Sequence, residues 1–132
     1  MKGAGGIVNA PKPLAELQAV FAAYEAALMA NDVDTLDRLF WRSEHTLRYG
    51  VGENLYGFDA IAAFRLARPG GSPQRLLTRT VITTFGDDFG TANTEFLREG
   101  SAKVGRQSQT WVRFAEGWRI VAAHVSLMAE TS

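Results

Sequence analysis

The chain has 132 residues, with 14 basic and 14 acidic side chains, no cysteine and 46% hydrophobic residues, a size and composition that fit one globular domain and exclude a two-domain enzyme. Balanced charge argues against nucleic-acid or anionic-membrane partners, and the lack of Cys excludes disulfides, Cys-based zinc sites and a thiol nucleophile. Of the 14 basic residues 11 are Arg and only three are Lys, two of them (Lys2 and Lys12) near the N-terminus, so the body of the chain carries its positive charge almost wholly as Arg. A guanidinium is a planar fork of donors matched to carboxylates, which points towards small-anion recognition.

Residues 1–10, MKGAGGIVNA, lack the hydrophobic stretch of a signal peptide. No apolar run approaches the ~20 residues that span a bilayer. The expectation is a cytoplasmic protein with a flexible segment over 1–10 and a single domain over 11–130. From Leu14 to about Ala30, the residues Leu14, Leu17, Phe21, Tyr24 and Leu28 recur at steps of three and four, which predicts an amphipathic helix begun by Pro11 and Pro13. Asn31-Asp32 interrupts it, and Asp32 is placed to cap a second short helix, Val33 to Phe40. Thr46–Gly50 reads as a short strand, Gly52–Gly57 as a turn or second short strand, and Phe58–Arg68 as a third helix stopped by Pro69-Gly70-Gly71. Four β-rich runs follow, Arg75–Phe85, Phe89–Arg98, Val104–Phe114 and Trp118–Met128, with turns short enough to make neighbours antiparallel. Helices first and strands afterwards give an α+β class, with three N-terminal helices packed on a curved antiparallel sheet as a cone with a blind interior. Such an interior suits a small ligand.

Several side chains stand where that interior has to be. Tyr24 shares the apolar stripe of the first helix, so its hydroxyl either meets a core carbonyl or enters the cavity as a proton carrier. Arg48 alternates with Leu47 and Tyr49 and faces the cavity or solvent according to which side the apolar pair takes. Ile61, Phe64, Arg65 and Arg68 share one face of the third helix; each arginine either snorkels from the edge or guards an anion pocket. On the third long strand Gln107 and Gln109 share a face with Trp111, while Arg106 and Ser108 take the other, so one face lines something wet. Asn93 and Glu95 raise the same question. His124, in an apolar run, is either a satisfied core histidine or a pocket base. Two His residues, 45 and 124, without ligand spacing give no expectation of a metal, and no Walker loop or nucleophile elbow occurs.

The segments NDVDTLDRLFW (31–41), HTLRYGVGENLYGFDAIAAFRLARP (45–69), GRQSQTWVR (105–113) and GWRIVAAHVSLM (117–128) resemble the small nuclear-transport-factor-2-like (NTF2-like, SnoaL-like) proteins of oxalurate and cyanuric-acid catabolism, AtzH-like and HpxZ-like. The resemblance implies an NTF2-like cone, a homodimer formed through the sheet and no cofactor. For the cyanuric-acid branch it implies a metal-independent decarboxylating amidohydrolase that converts 1,3-dicarboxyurea to allophanate. The Tyr and Arg of that branch's functional pair fall here on Tyr24 and Arg48, with Arg65, Gln107, Gln109 and His124 as candidate substrate-binding residues. For the oxalurate branch it implies a non-catalytic accessory or metabolite-binding protein working beside an amidase partner. A third reading, an isomerase or cyclase on the same cone, requires an acidic base in the cavity, for which Glu95 is the strand candidate.

Overall fold

The structure, a computed structural model, describes residues 7–129. Helix α1 spans Pro11–Ala30 and begins three residues before the expected Leu14, because Pro11 takes the first helical position and the missing proline N–H is no loss in a first turn. It buries Pro13, Leu17, Phe21, Tyr24 and Ala27 along one stripe and ends at Asn31 in the left-handed region, φ 52° and ψ 42°. Helix α2, Val33–Leu39, is capped as its sequence predicts: the Asp32 carboxylate accepts from the Thr35 N–H at 3.2 Å and from the Thr35 hydroxyl at 2.6 Å. Helix α3, Phe58–Ala67, starts at Gly57, whose φ of +88° belongs to glycine, and gives way at Arg68.

The strands are β1 Leu47–Tyr49, β2 Asn54–Tyr56, β3 Arg75–Phe85, β4 Phe89–Arg98, β5 Val104–Phe114 and β6 Gly117–Leu127, in one sheet of order β2-β1-β6-β5-β4-β3. The long four form the expected antiparallel meander. One pair departs from it: β1 runs parallel to β6, with Arg48 opposite Ala123 and Tyr49 opposite His124. Strand β2, helix α3 and the first three strands of the meander lie between these two strands, more than the length of chain a parallel neighbour needs to cross over.

The three helices cover the concave face, where Phe40, Phe58, Ile61, Phe96, Trp111 and Ile120 are buried with the α1 stripe. Burying each of these large side chains contributes on the order of 1.5–3 kcal/mol. Close approach of ring and sheet is permitted at Gly105, where a Cβ would lie 2.2 Å from the Phe96 ring. In the part of segment 1–10 that is described, Val8 bridges Phe85, and Asn9 exchanges backbone and side-chain hydrogen bonds with Thr84 at 3.0 and 2.9 Å. Residues 1–6 lie outside the described residues.

Candidate functional site

Between the helices and the β1–β2 end of the sheet lies a narrow cavity of about 30 Å³, measured as the space open to the centre of a water molecule. Leu28, Leu36, Leu55, Ile61 and Phe64 make its apolar wall, and Tyr24, Asn31, Arg48, Arg65, Arg68 and Ser72 bring the polar groups. Tyr24 is carried inward by the α1 stripe and wedged edge-on between Phe40 and Trp111, with ring centroids 6.3 and 6.4 Å away. Those rings fix where the phenol stands. Its hydroxyl lines the cavity and makes no hydrogen bond to a described residue, unlike the paired hydroxyls of Tyr49 and Tyr56 on the outer face of the sheet.

Arg48 points inward because Leu47 and Tyr49 take the other side of β1. Its Nη1 donates to Glu53 Oε2 at 2.9 Å, and the side chain is 14% exposed. Glu53 reaches it across the β1–β2 turn and closes over Gly50, where a Cβ would fall 1.8 Å from the same carboxylate oxygen. A Cβ at residue 50 would push the end of the flexible Glu53 side chain out of this position. Arg65 is tied to Asp37 of α2 and lies over the Phe40 ring. Its partner restrains it at the wall.

The two glutamines are buried on the concave face but stand beside the cavity, not among its lining residues. Gln107 accepts from Arg75 Nη2 at 3.1 Å, and Gln109 accepts from Trp111 Nε1 at 3.0 Å, so each helps fix a neighbour. The Nε2 of each has no partner among the described residues.

His124 is exposed on the outer face, against the Tyr49 ring at 5.6 Å, and so lies away from the cavity. The reason is a bulge. The β5–β6 register steps from Thr110–Ala122 to Trp111–Ile120, leaving Val121 as the extra residue. Trp118 and Ile120 face the core before it, and Ala123 and Val125 after it. Unbroken alternation from Ile120 would carry His124 inward; one extra residue turns it out. Glu95 and Asn93 are also exposed on the outer face, so the acid base required by the isomerase reading is not in the cavity.

Sequence reasoning missed the ion-pair partners Glu53, Asp37 and Glu25, and it passed over Arg75 and Arg98. Glu53 lies five residues from Arg48 and could have been found as a cross-hairpin charge pair. Arg75 forks onto Glu25 at 3.0 and 2.7 Å across 50 residues of sequence, a pairing that only the packing of α1 on β3 creates. Desolvation by burial, and then the positive charge of Arg48, lower the affinity of Arg68 for its proton. Arg98 is lowered in the same way, by desolvation first and then by Arg68, Arg75 and Arg48. Among the described residues no cluster of His, Asp and Glu is arranged to hold a metal ion.

The AtzH-like family profile matches residues 6–131. The chain belongs to the AtzH-like family. Two solved structures align closely: a protein of the DUF3225 family from Pectobacterium atrosepticum, 61% identical over 92% of this chain and 95% of that chain with a TM-score of 0.90, and a cystatin-like fold protein from Burkholderia xenovorans, 48% identical over 94% and 98% with a TM-score of 0.90. An NTF2-like protein from Pseudomonas putida, 11% identical with a TM-score of 0.76 over 93% of this chain and 92% of its own, shares the fold alone. No curated protein matches significantly. This AtzH-like chain thus has the NTF2-like α+β cone, three helices on a curved six-stranded sheet. No helix among its described residues is long and apolar enough to cross a membrane.

Proposed function

We propose that the protein is a decarboxylating amidohydrolase for small N-carboxylated ureas, of the 1,3-dicarboxyurea to allophanate type. The observation that carries the reading is that the Tyr24 hydroxyl, which bonds to no described residue, shares one small cavity with Arg48. An N-carboxylate is lost as CO2 when the C–N bond breaks and its electron pair stays on nitrogen, which must gain a proton. In this reading Tyr24 delivers or relays that proton inside the cavity, and positioned acid–base chemistry of this kind is worth about 10²–10⁴-fold.

Arg48 orients the departing carboxylate through the part of its fork that Glu53 leaves free. The ion pair with Glu53 suits that task. A carboxylate leaving as CO2 surrenders its negative charge, so an unopposed cation would hold the reactant back more than the transition state. Arg48 with its charge partly offset orients the group without opposing its loss. Arg65, bound to Asp37, shapes the wall beside it.

The deciding experiment is an assay of the purified protein alone for CO2 release and allophanate formation from freshly prepared 1,3-dicarboxyurea. Release above the spontaneous rate supports the reading. Tight binding without turnover makes the protein a metabolite-binding accessory instead.

A further inference from the structure

About 30 Å³ open to the centre of a water molecule leaves the cavity room for about two waters, far less than a carboxylated urea occupies. Some part of the wall has to move before a ligand of that class can enter. Helices α1 and α2 and the first half of α3 are held by buried side chains, Phe58 and Ile61 in the case of α3. Beyond Arg65, which is tied to Asp37, α3 buries nothing further, and Leu66 is 78% exposed.

Residues 68–73 are held least. Among the described residues their backbone hydrogen bonds are local, from the Arg68 N–H to the Arg65 carbonyl at 3.3 Å and from the Gly71 N–H to the Arg68 carbonyl at 3.4 Å. The chain is tied again at Gln74, whose side chain donates to the Met29 carbonyl and whose own carbonyl accepts from the Glu99 N–H, both at 2.9 Å. Between these anchors Gly70 and Gly71 take φ of +72° and +75°, consecutive left-handed glycines of the kind that absorb a hinge motion. Gly71 and Ser72 line the cavity with Asn31, the residue that ends α1. The contact there is close: a Cβ at Gly71 would fall 2.5 Å from Asn31 Oδ1 and 3.0 Å from Asn31 Cβ.

The root of this segment carries a charge. Arg68 lines the cavity and lies over the Phe64 ring at 5.1 Å, while Arg48 lies over the same ring at 6.0 Å. Glu53 and Asp37 offset Arg48 and Arg65, whereas Arg68 forms no ion pair among the described residues.

We infer that residues 68–73 form a flap, hinged at Gly70 and Gly71 and seated on Asn31, which opens to admit a ligand and brings Arg68 against the ligand's anionic group as it shuts. The role of Arg68 rests on the reading of the cavity as a carboxylate site; the gate needs only that a molecule larger than water enters.

Because the chain has no cysteine, one engineered thiol reports access to the cavity by itself. The test follows labelling of Leu36→Cys, at a lining residue 1% exposed, by an aromatic disulfide reagent, in the full chain with and without Gly71→Ala. Ala92→Cys, in the core and apart from the lining, controls for unfolding of the whole chain. Gly71→Ala sets a Cβ against Asn31 at a φ that L-residues resist, so labelling at position 36 should accelerate about tenfold or more while position 92 keeps its rate. No acceleration at position 36, or equal acceleration at both, overturns the flap and leaves the proposed reaction standing. Saturating malonate should slow labelling at position 36, and Arg68→Gln should remove most of that protection. Full protection in Arg68→Gln overturns the role of Arg68. Malonate without effect, beside an intact response to Gly71→Ala, upholds the gate and counts against the carboxylate site. Should Leu36→Cys fail to fold, Leu55→Cys on β2, which lines the same cavity, takes its place.

Discussion

Tyr24 and Arg48 reach the cavity by different routes, and their substitutions have different expected signatures. Tyr24→Phe keeps the ring between Phe40 and Trp111 and removes only an oxygen that bonds to no described residue. It should therefore fold with an unchanged melting temperature while turnover drops by about 10²-fold or more; an active Phe variant would take the phenol out of the reaction. Arg48→Ala leaves Glu53 as an unpaired, partly buried carboxylate in a site meant for anions, so KM for a carboxylated urea should rise steeply. Arg48→Lys should restore little, because an ammonium cannot serve Glu53 and substrate with one planar fork. Gly50→Ala offers a way to disturb the pair without touching either charge. Its Cβ would stand where the Glu53 carboxylate lies, and a shift in both kcat and KM, read by steady-state kinetics, is the expected outcome.

At the scale of elements, the helices are held over the sheet by polar ties as well as by the core. Arg75 of β3, 3% exposed, forks onto Glu25 of α1. Glu25→Gln would strand that buried guanidinium, and chemical denaturation should register a loss of about 3 kcal/mol. The cap of α2 titrates. Hydrogen bonds from the Thr35 side chain, and then from its backbone, lower the affinity of Asp32 for a proton below that of an ordinary carboxylate. With the folded value below the unfolded one, the contribution of Asp32 is complete above the normal carboxylate range and fades as pH drops through the lower, folded value. Asp32→Ala should thus lower the melting temperature at neutral pH, and the gap to wild type should close in strong acid. The bulge at Val121 works on the same scale, since it sets which residues of β6 serve the core and which, His124 among them, serve the outer surface.

For the molecule as a whole, net neutrality conceals an interior of one sign. The charges sum to zero over 132 residues, yet the cavity lining holds three arginines, Arg48, Arg65 and Arg68, and no carboxylate; Glu53 and Asp37 pair with the first two from beside it. Nothing in the described donor set is built for a divalent cation, so activity, once measured, should survive chelation by EDTA; loss would mean that the site is misread.

Composition excluded thiol and disulfide chemistry, and periodicity placed every helix and long strand to within about three residues, because patterns of 3.6 and 2 reflect burial of single elements against one core. The stripe of α1 likewise put Tyr24 inside. Alternation could not choose a side for Arg48, because a short strand with apolar residues on one face and a cation on the other is consistent with either; the parallel pairing of β1 with β6 made the choice. His124 was misjudged because a bulge has no sequence signature in an otherwise regular strand. The pairing of Arg75 with Glu25 depends on which elements meet across tens of residues. Local physics settled what each segment is, and only the packed structure decided which charges meet as pairs.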